Sequence, residues 1–329
     1  SNNTAVGKSA LFANTTGTPN TAVGFETLKS NTTGTNNTAL GSEALELNTT
    51  GIQNTAVGAL SLDANTTGNE NTAVGYGSLS ANTTAGGNTA LGWGAMTNTT
   101  TGYANVAIGV SSLGVQTTGN QNVAVGSLTL DALTTGTFNV AVGHGAGSAI
   151  IAGNDNVALG YLALNLNTAS NRNVALGSEA LKTLNVTSDT HVYNTAVGYA
   201  AGTSLTTGTN NTFVGALAGD GTDDGLSNTA VGVSALSANC GNENTACGKG
   251  ALETATGQKN TALGAQAGVG ITSGSNNISI GTDASRSTAP GGNITTESNQ
   301  ICLGDANITE CNIQVDWTVA SDARDKTDF

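Results

Sequence analysis

The chain has 329 residues, of which 9% are charged, 4% are aromatic, 46 are Gly and 2 are Pro. Such a composition cannot build an ordinary enzyme core of Leu and Phe clusters, carries too little charge and Pro for a disordered chain, and lacks the Pro that a collagen helix requires. The formal net charge of −13, from 9 basic and 22 acidic residues, repels phosphate backbones and excludes nucleic acid as a partner.

No apolar run approaches the length of a membrane-spanning helix. No secretory signal opens the chain, and Ser1 stands in mid-pattern, as expected of a segment excised from something longer. The four cysteines, Cys240, Cys247, Cys302 and Cys311, are too few for a disulfide scaffold and are not spaced as zinc ligands.

The motif N-T-A-V-G begins at Asn3 and returns at Asn20, Asn37, Asn54, Asn71, Asn88, Asn105, Asn122, Asn139, Asn156 and Asn173, in steps of 17 residues. It continues at Asn194, Asn211, Asn228, Asn244, Asn260 and Asn277, and a degenerate copy, Q-I-C-L-G, starts at Gln300. Eighteen copies at a nearly constant period are the signature of stacked structural units. We number the units as rungs 1 to 18 and the residues of each from its leading Asn.

Positions one to five suit a short strand closed by a turn. Position four is apolar throughout, as at Val6, Val23 and Leu40, with Cys247 as a small substitute. Position three is Ala except at Phe213, Ser279 and Cys302. Side chains alternate along a strand, so the two positions point opposite ways and both faces read as buried. One face is expected to fill the coil. The Ala-lined face is expected to admit the backbone of a second chain.

Position five is Gly in every copy (Gly7, Gly24, Gly41 and onward), which predicts a corner needing positive φ or close approach of the next coil. Position one (Asn3, Asn20, Asn37 and onward) predicts a ladder of stacked amides between coils. Position nine is Leu in most rungs and supplies a second inward side chain; Gly147, Gly202, Gly219 and Gly268 form a variant class. The T-T-G segments, as at Thr15–Gly17, read as return turns. Two Gly and several β-branched residues in each unit leave no room for a useful helix. The expected fold is all-β: a parallel β-solenoid or β-roll of about 18 coils of 17 residues. One Val, one Leu and a few Ala per coil bury too little surface for a coil to stand alone. The expected assembly is therefore a homo-oligomer closed over the Ala face, and for a fibre the expected form is an elongated homotrimer.

The expected organisation is a repeat shaft over residues 1–281, with an insertion near 182–193 that carries His191 and Tyr193. An inserted loop over 282–299 carries Arg286 and Pro290. A last degenerate coil and neck span 300–320, and a further domain starts at 321–329. Insertions in solenoids map to surface loops and either serve as binding elements or are neutral.

The N-T-A-V-G units, from Asn3 to about Gly281, resemble the head repeats of trimeric autotransporter adhesins, which form a parallel β-roll in a trimer. The stretch from Trp317 to Phe329 resembles the opening of the endosialidase-type intramolecular chaperone found at the end of phage tail fibres and tailspikes. Its S-D-x-R-x-K pattern is matched by Ser321, Asp322, Arg324 and Lys326. That resemblance implies that three chains fold into a β-fibre and that the chaperone then cuts itself off beside Ser321. Ser321 and Lys326 would be the nucleophile and its base, with the remainder of that domain required for the cut. Alternatively, the stretch is a charged, solvated tail.

Position six collects aromatics: Phe25, Tyr76, Trp93, Tyr161 and Tyr199. An exposed row of rings can stack on the apolar faces of sugars, or can shield the corners of coils. His144 and His191 have no third ligand, so neither a metal nor a cofactor is expected. Cys247 and Cys302 read as small buried hydrophobes. Carboxylates such as Asp223, Asp224 and Glu243 fall in return turns and serve solubility. No paired-carboxylate signature of a glycosidase appears, the calcium-binding nonapeptide of other β-rolls is absent, and the N-T-T triplets read as turns.

The functional expectation is a non-enzymatic virion protein: a trimeric tail-fibre or tailspike shaft used in host attachment. Its partners would be two identical chains, phage tail or baseplate proteins and a host surface glycan or protein. A bacterial trimeric surface adhesin is the alternative, followed by an ice-binding solenoid built on the recurrent Thr pairs and by a glycan-degrading spike.

Overall fold

A computed structural model describes residues 2–187, 191–286 and 294–310. Every unit contributes one strand of three or four residues, from Thr4–Val6 in rung 1 to Ile301–Leu303 in rung 18. The eighteen strands form one sheet. Each pairs in parallel with its successor and in register, so that Thr4, Ala5 and Val6 lie against Thr21, Ala22 and Val23. The same register runs to the far end, where Ile278, Ser279 and Ile280 meet Ile301, Cys302 and Leu303. Among the described residues there is no helix. The remainder of each unit is the crossover that parallel strands need, and it too is bonded rung to rung. Leu28 N donates to Ala44 O at 3.1 Å, and Thr32 N donates to Thr49 O at 2.9 Å. At about 4.8 Å per strand, the column is roughly 80 Å long.

Three residues explain why each unit closes. Gly at position five has φ of +145° at Gly24 and +140° at Gly41. A Cβ on Gly41 would lie 2.5 Å from the carbonyl oxygen of Gly58 in the next rung, so both expected reasons for glycine hold together. The Asn ladder also holds. Asn37 N donates to Asn20 Oδ1 at 3.0 Å, and Asn37 Nδ2 donates to Gly51 O at 2.9 Å across its own coil. One amide therefore ties a strand both to the previous rung and to its own return turn. Leu at position nine reaches inward from a left-handed backbone, with φ of 51° at Leu28 and 52° at Leu45. This conformation costs about 1–2 kcal/mol for a non-glycine residue, comparable with the gain from burying the side chain.

The core corrects one expectation. The Ala face points into the coil: Ala22, Ala39, Ala56 and Ala73 have no exposure, and neither do Leu28, Leu45, Leu62 and Leu79 opposite them. The coil is thin, and Leu from the far wall already fills it, so only Ala fits on the strand. The larger position-four residues face outward, and Leu40 and Leu263 are about half exposed at 48% and 51%. Cys302 is buried at position three, but Cys247, at position four, is exposed with its ladder neighbours.

Rung 13 shows how tightly the interior volume is set. Phe213 replaces Ala at position three and is fully buried. Gly219 and Gly202 stand where Leu would be, and a Cβ on either would lie 2.6 or 2.8 Å from the Phe213 ring. One ring thus occupies the space left by two missing side chains.

The longer rungs keep the same path. Thr272 N donates to Thr295 O and Asn277 Nδ2 donates to Glu297 O, so residues 294–299 rebuild the return wall of rung 17. In rung 11, Val192 is buried and its N–H donates to Asn171 O.

Candidate functional site

The aromatics of position six lie on one outer edge of the column, and Phe25, Tyr76, Trp93, Tyr161 and Tyr199 are all exposed. They do not form one continuous row. Tyr161 stacks on His144 of the preceding rung, with centroids 5.9 Å apart. Phe25 lies under the ammonium of Lys8, 5.6 Å from the ring centroid. Tyr199 stands apart from the other rings in rung 12.

Tyr76 and Trp93 differ, because they flank a cleft of about 480 Å³. Its floor is set by position seven, which is Leu60, Gly77, Gly94 and Ser111 in rungs 4 to 7. A Cβ on Gly77 would meet nothing within 4 Å, and one on Gly94 would lie 3.2 Å from Thr97 Oγ1, so the trough between Leu60 and Ser111 is widest over Gly77. The far wall is position ten: Asp63, Ser80, Thr97, Gly114 and Asp131. Gly145 also follows an aromatic-type residue, His144, but its floor is closed: a Cβ there would lie 2.8 Å from Leu162 Cδ2.

Asp63 and Asp131 stand at the two ends of the cleft, four rung spacings apart, or about 19 Å. One oxygen of each, Oδ1, is buried and makes no hydrogen bond. Burial pushes both carboxyls above the ordinary carboxylate range. Backbone N–H groups, those of Asp63 and Ala64 at one end and of Asp131 at the other, pull the other way. Glu46 and Glu43 raise Asp63 further by repulsion. Asp220, at position ten of rung 13, has an unbonded Oδ1 as well. The unpaired acceptor thus belongs to the position, and what distinguishes rungs 4 to 8 is its coincidence with two rings and a glycine floor.

His191 and Tyr193 lie on a different edge from Tyr76 and Trp93. Their rings meet edge to face at 5.9 Å, and Arg172 donates from Nη1 to the Tyr193 hydroxyl at 2.8 Å. Arg172 also pairs with Asp155 at 3.5 Å, so this cluster is internally satisfied. Ser321 and Lys326 lie outside the described residues. Among the described residues, no group of three His, Cys, Asp or Glu side chains is placed to hold a metal ion.

Sequence reasoning found the two rings of the cleft but not its floor or its carboxylates. The readable signal was an aromatic-Gly pair at positions six and seven of consecutive units, Tyr76-Gly77 and Trp93-Gly94. The two threonines of each pair differ: Thr33, Thr50 and Thr67 at position fourteen are exposed, whereas the position-thirteen hydroxyls are tied to the next rung. At position thirteen, Thr32 Oγ1 donates to Thr49 O and Thr49 Oγ1 to Thr66 O, both at 3.0 Å. No family model matches the chain, and no curated protein matches it.

Proposed function

We propose that the chain forms part of the shaft of a phage tail fibre or tailspike, in which three copies pack together and hold receptor-binding surfaces away from the particle. The work of such a shaft is mechanical and adhesive, and repeated weak contacts along three chains add up through multivalency. A cut beside Ser321, by the Ser321–Lys326 pair within a full chaperone domain, would complete its maturation.

The observation that carries this reading is the outward face of the sheet. Positions two and four present Thr, Val, Ile and Leu on every rung, with Cys247 the one substitute and no charged residue among them. A rung is about 10 Å by 4.8 Å, so eighteen strands offer roughly 850 Å² of flat uncharged surface. One side of a stable protein–protein interface is about 800 Å², and the position-four stripe, about half of this face, reaches the few hundred Å² at which contiguous apolar patches mark interaction surfaces. The face to be covered is thus the Thr/Val face rather than the Ala face. An acidic chain whose eighteen strands carry no carboxylate on one side suits self-association through that side.

Sedimentation equilibrium of the purified chain tests this. A mass near three times 32.2 kDa is expected, and Val142→Lys with Leu176→Lys should break the assembly. A folded monomer at micromolar concentration overturns the reading. Mass analysis of a precursor with the whole chaperone-like domain tests the cut: a product ending beside Ser321 is expected with Ser321 intact and not with Ser321→Ala.

A further inference from the structure

We propose that the cleft over rungs 4 to 8 binds a linear neutral oligosaccharide lying along the column axis. Tyr76 and Trp93 are exposed at 54% and 58%. Among the described residues the ring-to-ring contacts are those of His144 with Tyr161 and of His191 with Tyr193, so these two rings have faces free for a ligand. Aromatic faces favour the flat, C–H-rich faces of pyranose rings. The rung spacing of about 4.8 Å is close to the length of one sugar residue along a glycan, so rings on successive rungs match successive sugars.

The floor decides the size of the site. Position seven adopts left-handed φ in every rung of this stretch, 57° at Leu60, 61° at Gly77, 62° at Gly94 and 54° at Ser111. Leu60 shows that the backbone there accepts a large side chain. Glycine at 77 and 94 is therefore not demanded by the turn, and its effect is the open trough. The volume of about 480 Å³ falls in the range of small-molecule sites.

The walls decide the chemistry. The Oδ1 atoms of Asp63 and Asp131 are buried and out of a ligand's reach, but between them the half-buried hydroxyls of Ser80 and Thr97, which donate to Thr97 O and Gly94 O, keep lone pairs that accept from sugar hydroxyls. The same two carboxylates, in a chain of net charge −13, repel uronic and sialic acids, so the ligand is neutral. The proposal rests on the attachment role only for its setting, because a single chain carries the whole cleft.

Calorimetric titration of the assembled protein with cellotetraose, maltotetraose and chitotetraose tests it, with hyaluronan tetrasaccharide as the anionic probe. Saturable binding of at least one neutral probe is expected. Gly77→Leu, which copies Leu60, should weaken it at least tenfold with unchanged thermal melting, and Trp93→Ala should do the same. Gly250→Leu, at position seven far from the cleft, should leave it unchanged. The proposal is overturned if no neutral probe binds, if binding survives in Gly77→Leu, or if hyaluronan binds equally well. Sedimentation of the same samples reports the assembly separately, so loss of sugar binding and loss of the trimer are distinguishable.

Discussion

Rungs 1 to 5 and rungs 8 to 12 share one backbone course but close it with opposite chemistry at position twelve. In the first group that position is Asn14, Asn31, Asn48, Asn65 and Asn82, and these amides form a second ladder inside the coil. Asn31 Nδ2 donates to Asn14 Oδ1 and Asn48 Nδ2 to Asn31 Oδ1, at 2.8 and 2.9 Å. Each also donates to a return-turn carbonyl, as Asn48 Nδ2 does to Gly51 O at 3.1 Å. In the second group, Leu133, Ile150, Leu184 and Leu205 fill the same place with buried hydrocarbon, although Asn167 interrupts the run. There the return-turn carbonyl depends on the first ladder, as when Asn194 Nδ2 donates to Gly208 O at 2.8 Å. A coil this thin tolerates amide or hydrocarbon, provided that each amide finds partners: in the neighbouring rungs for Asn31 and Asn48, or in its own turn for Asn167, whose Oδ1 accepts from Ser170 N and Oγ at 3.1 and 2.6 Å.

The largest expected effect comes from placing the wrong chemistry in each region. Leu205→Asn would bury an amide between Leu184 and Thr222, with at most the Gly208 carbonyl to receive a donor. Lost burial and unpaired polar atoms together should cost about 3–5 kcal/mol. Asn48→Leu would orphan Asn31 Oδ1 and one N–H of Asn65, at about 2–4 kcal/mol. Urea unfolding measures both. Equal and small losses would mean that the two regions are interchangeable and that a buried amide at this position needs no partner.

The junction between the regions offers a gain instead. Asn82 Oδ1, Thr99 Oγ1 and Gln116 Oε1 are buried and unbonded on three successive rungs. The amide ladder stops at Asn82 because the next rung supplies Thr99, whose hydroxyl does not bond upward or downward. Thr99→Asn continues the spacing of the rungs below, and its amide would donate to Asn82 Oδ1 and to Gly102 O. A stabilisation of about 1 kcal/mol is expected, read as a higher urea midpoint at unchanged slope. A loss would show that the junction has relaxed around threonine.

Much of this was legible in the sequence because each rung repeats its residue types. The invariant Gly at position five and Asn at position one fixed the corner and the first ladder, and an 18-fold period fixed the strand count. Alternation alone left the inside undetermined: it places Ala22 and Val23 on opposite faces without saying which face closes on itself. Inside is decided by Leu28, which crosses the coil from a left-handed backbone that sequence rules assign to glycine or asparagine. The second ladder was hidden because Asn14 to Asn82 sit in N-T-T triplets that look like ordinary turns. The cleft was half visible: its rings announce themselves, but Gly77 matters only beside Leu60, Gly94 and Ser111, a neighbourhood that exists across rungs and not along the chain.

The smallest expected effect separates the regions by charge. Rungs 2 and 3 carry Glu26, Lys29, Glu43 and Glu46 on the outer edge, with Lys29 bonded to Glu26 and Glu46 at 2.8 and 3.3 Å. Asp63 stands one rung beyond them, so repulsion from Glu46 and Glu43 adds to the burial that raises it, whereas burial alone raises Asp131. Raised carboxyls bind protons more tightly in the folded state, so stability falls as pH rises from the ordinary carboxyl value of 3.8 through the raised folded value. Above that window the penalty is constant, and Asp63→Asn or Asp131→Asn should remove it. Salt screens charge–charge repulsion more than burial. Titration of the two carboxyl carbons by NMR at low and high ionic strength should therefore move Asp63 toward its ordinary value and leave Asp131 in place. An equal response would remove the acidic edge of rungs 2 and 3 as the cause, and with it this electrical distinction between the two halves of the column.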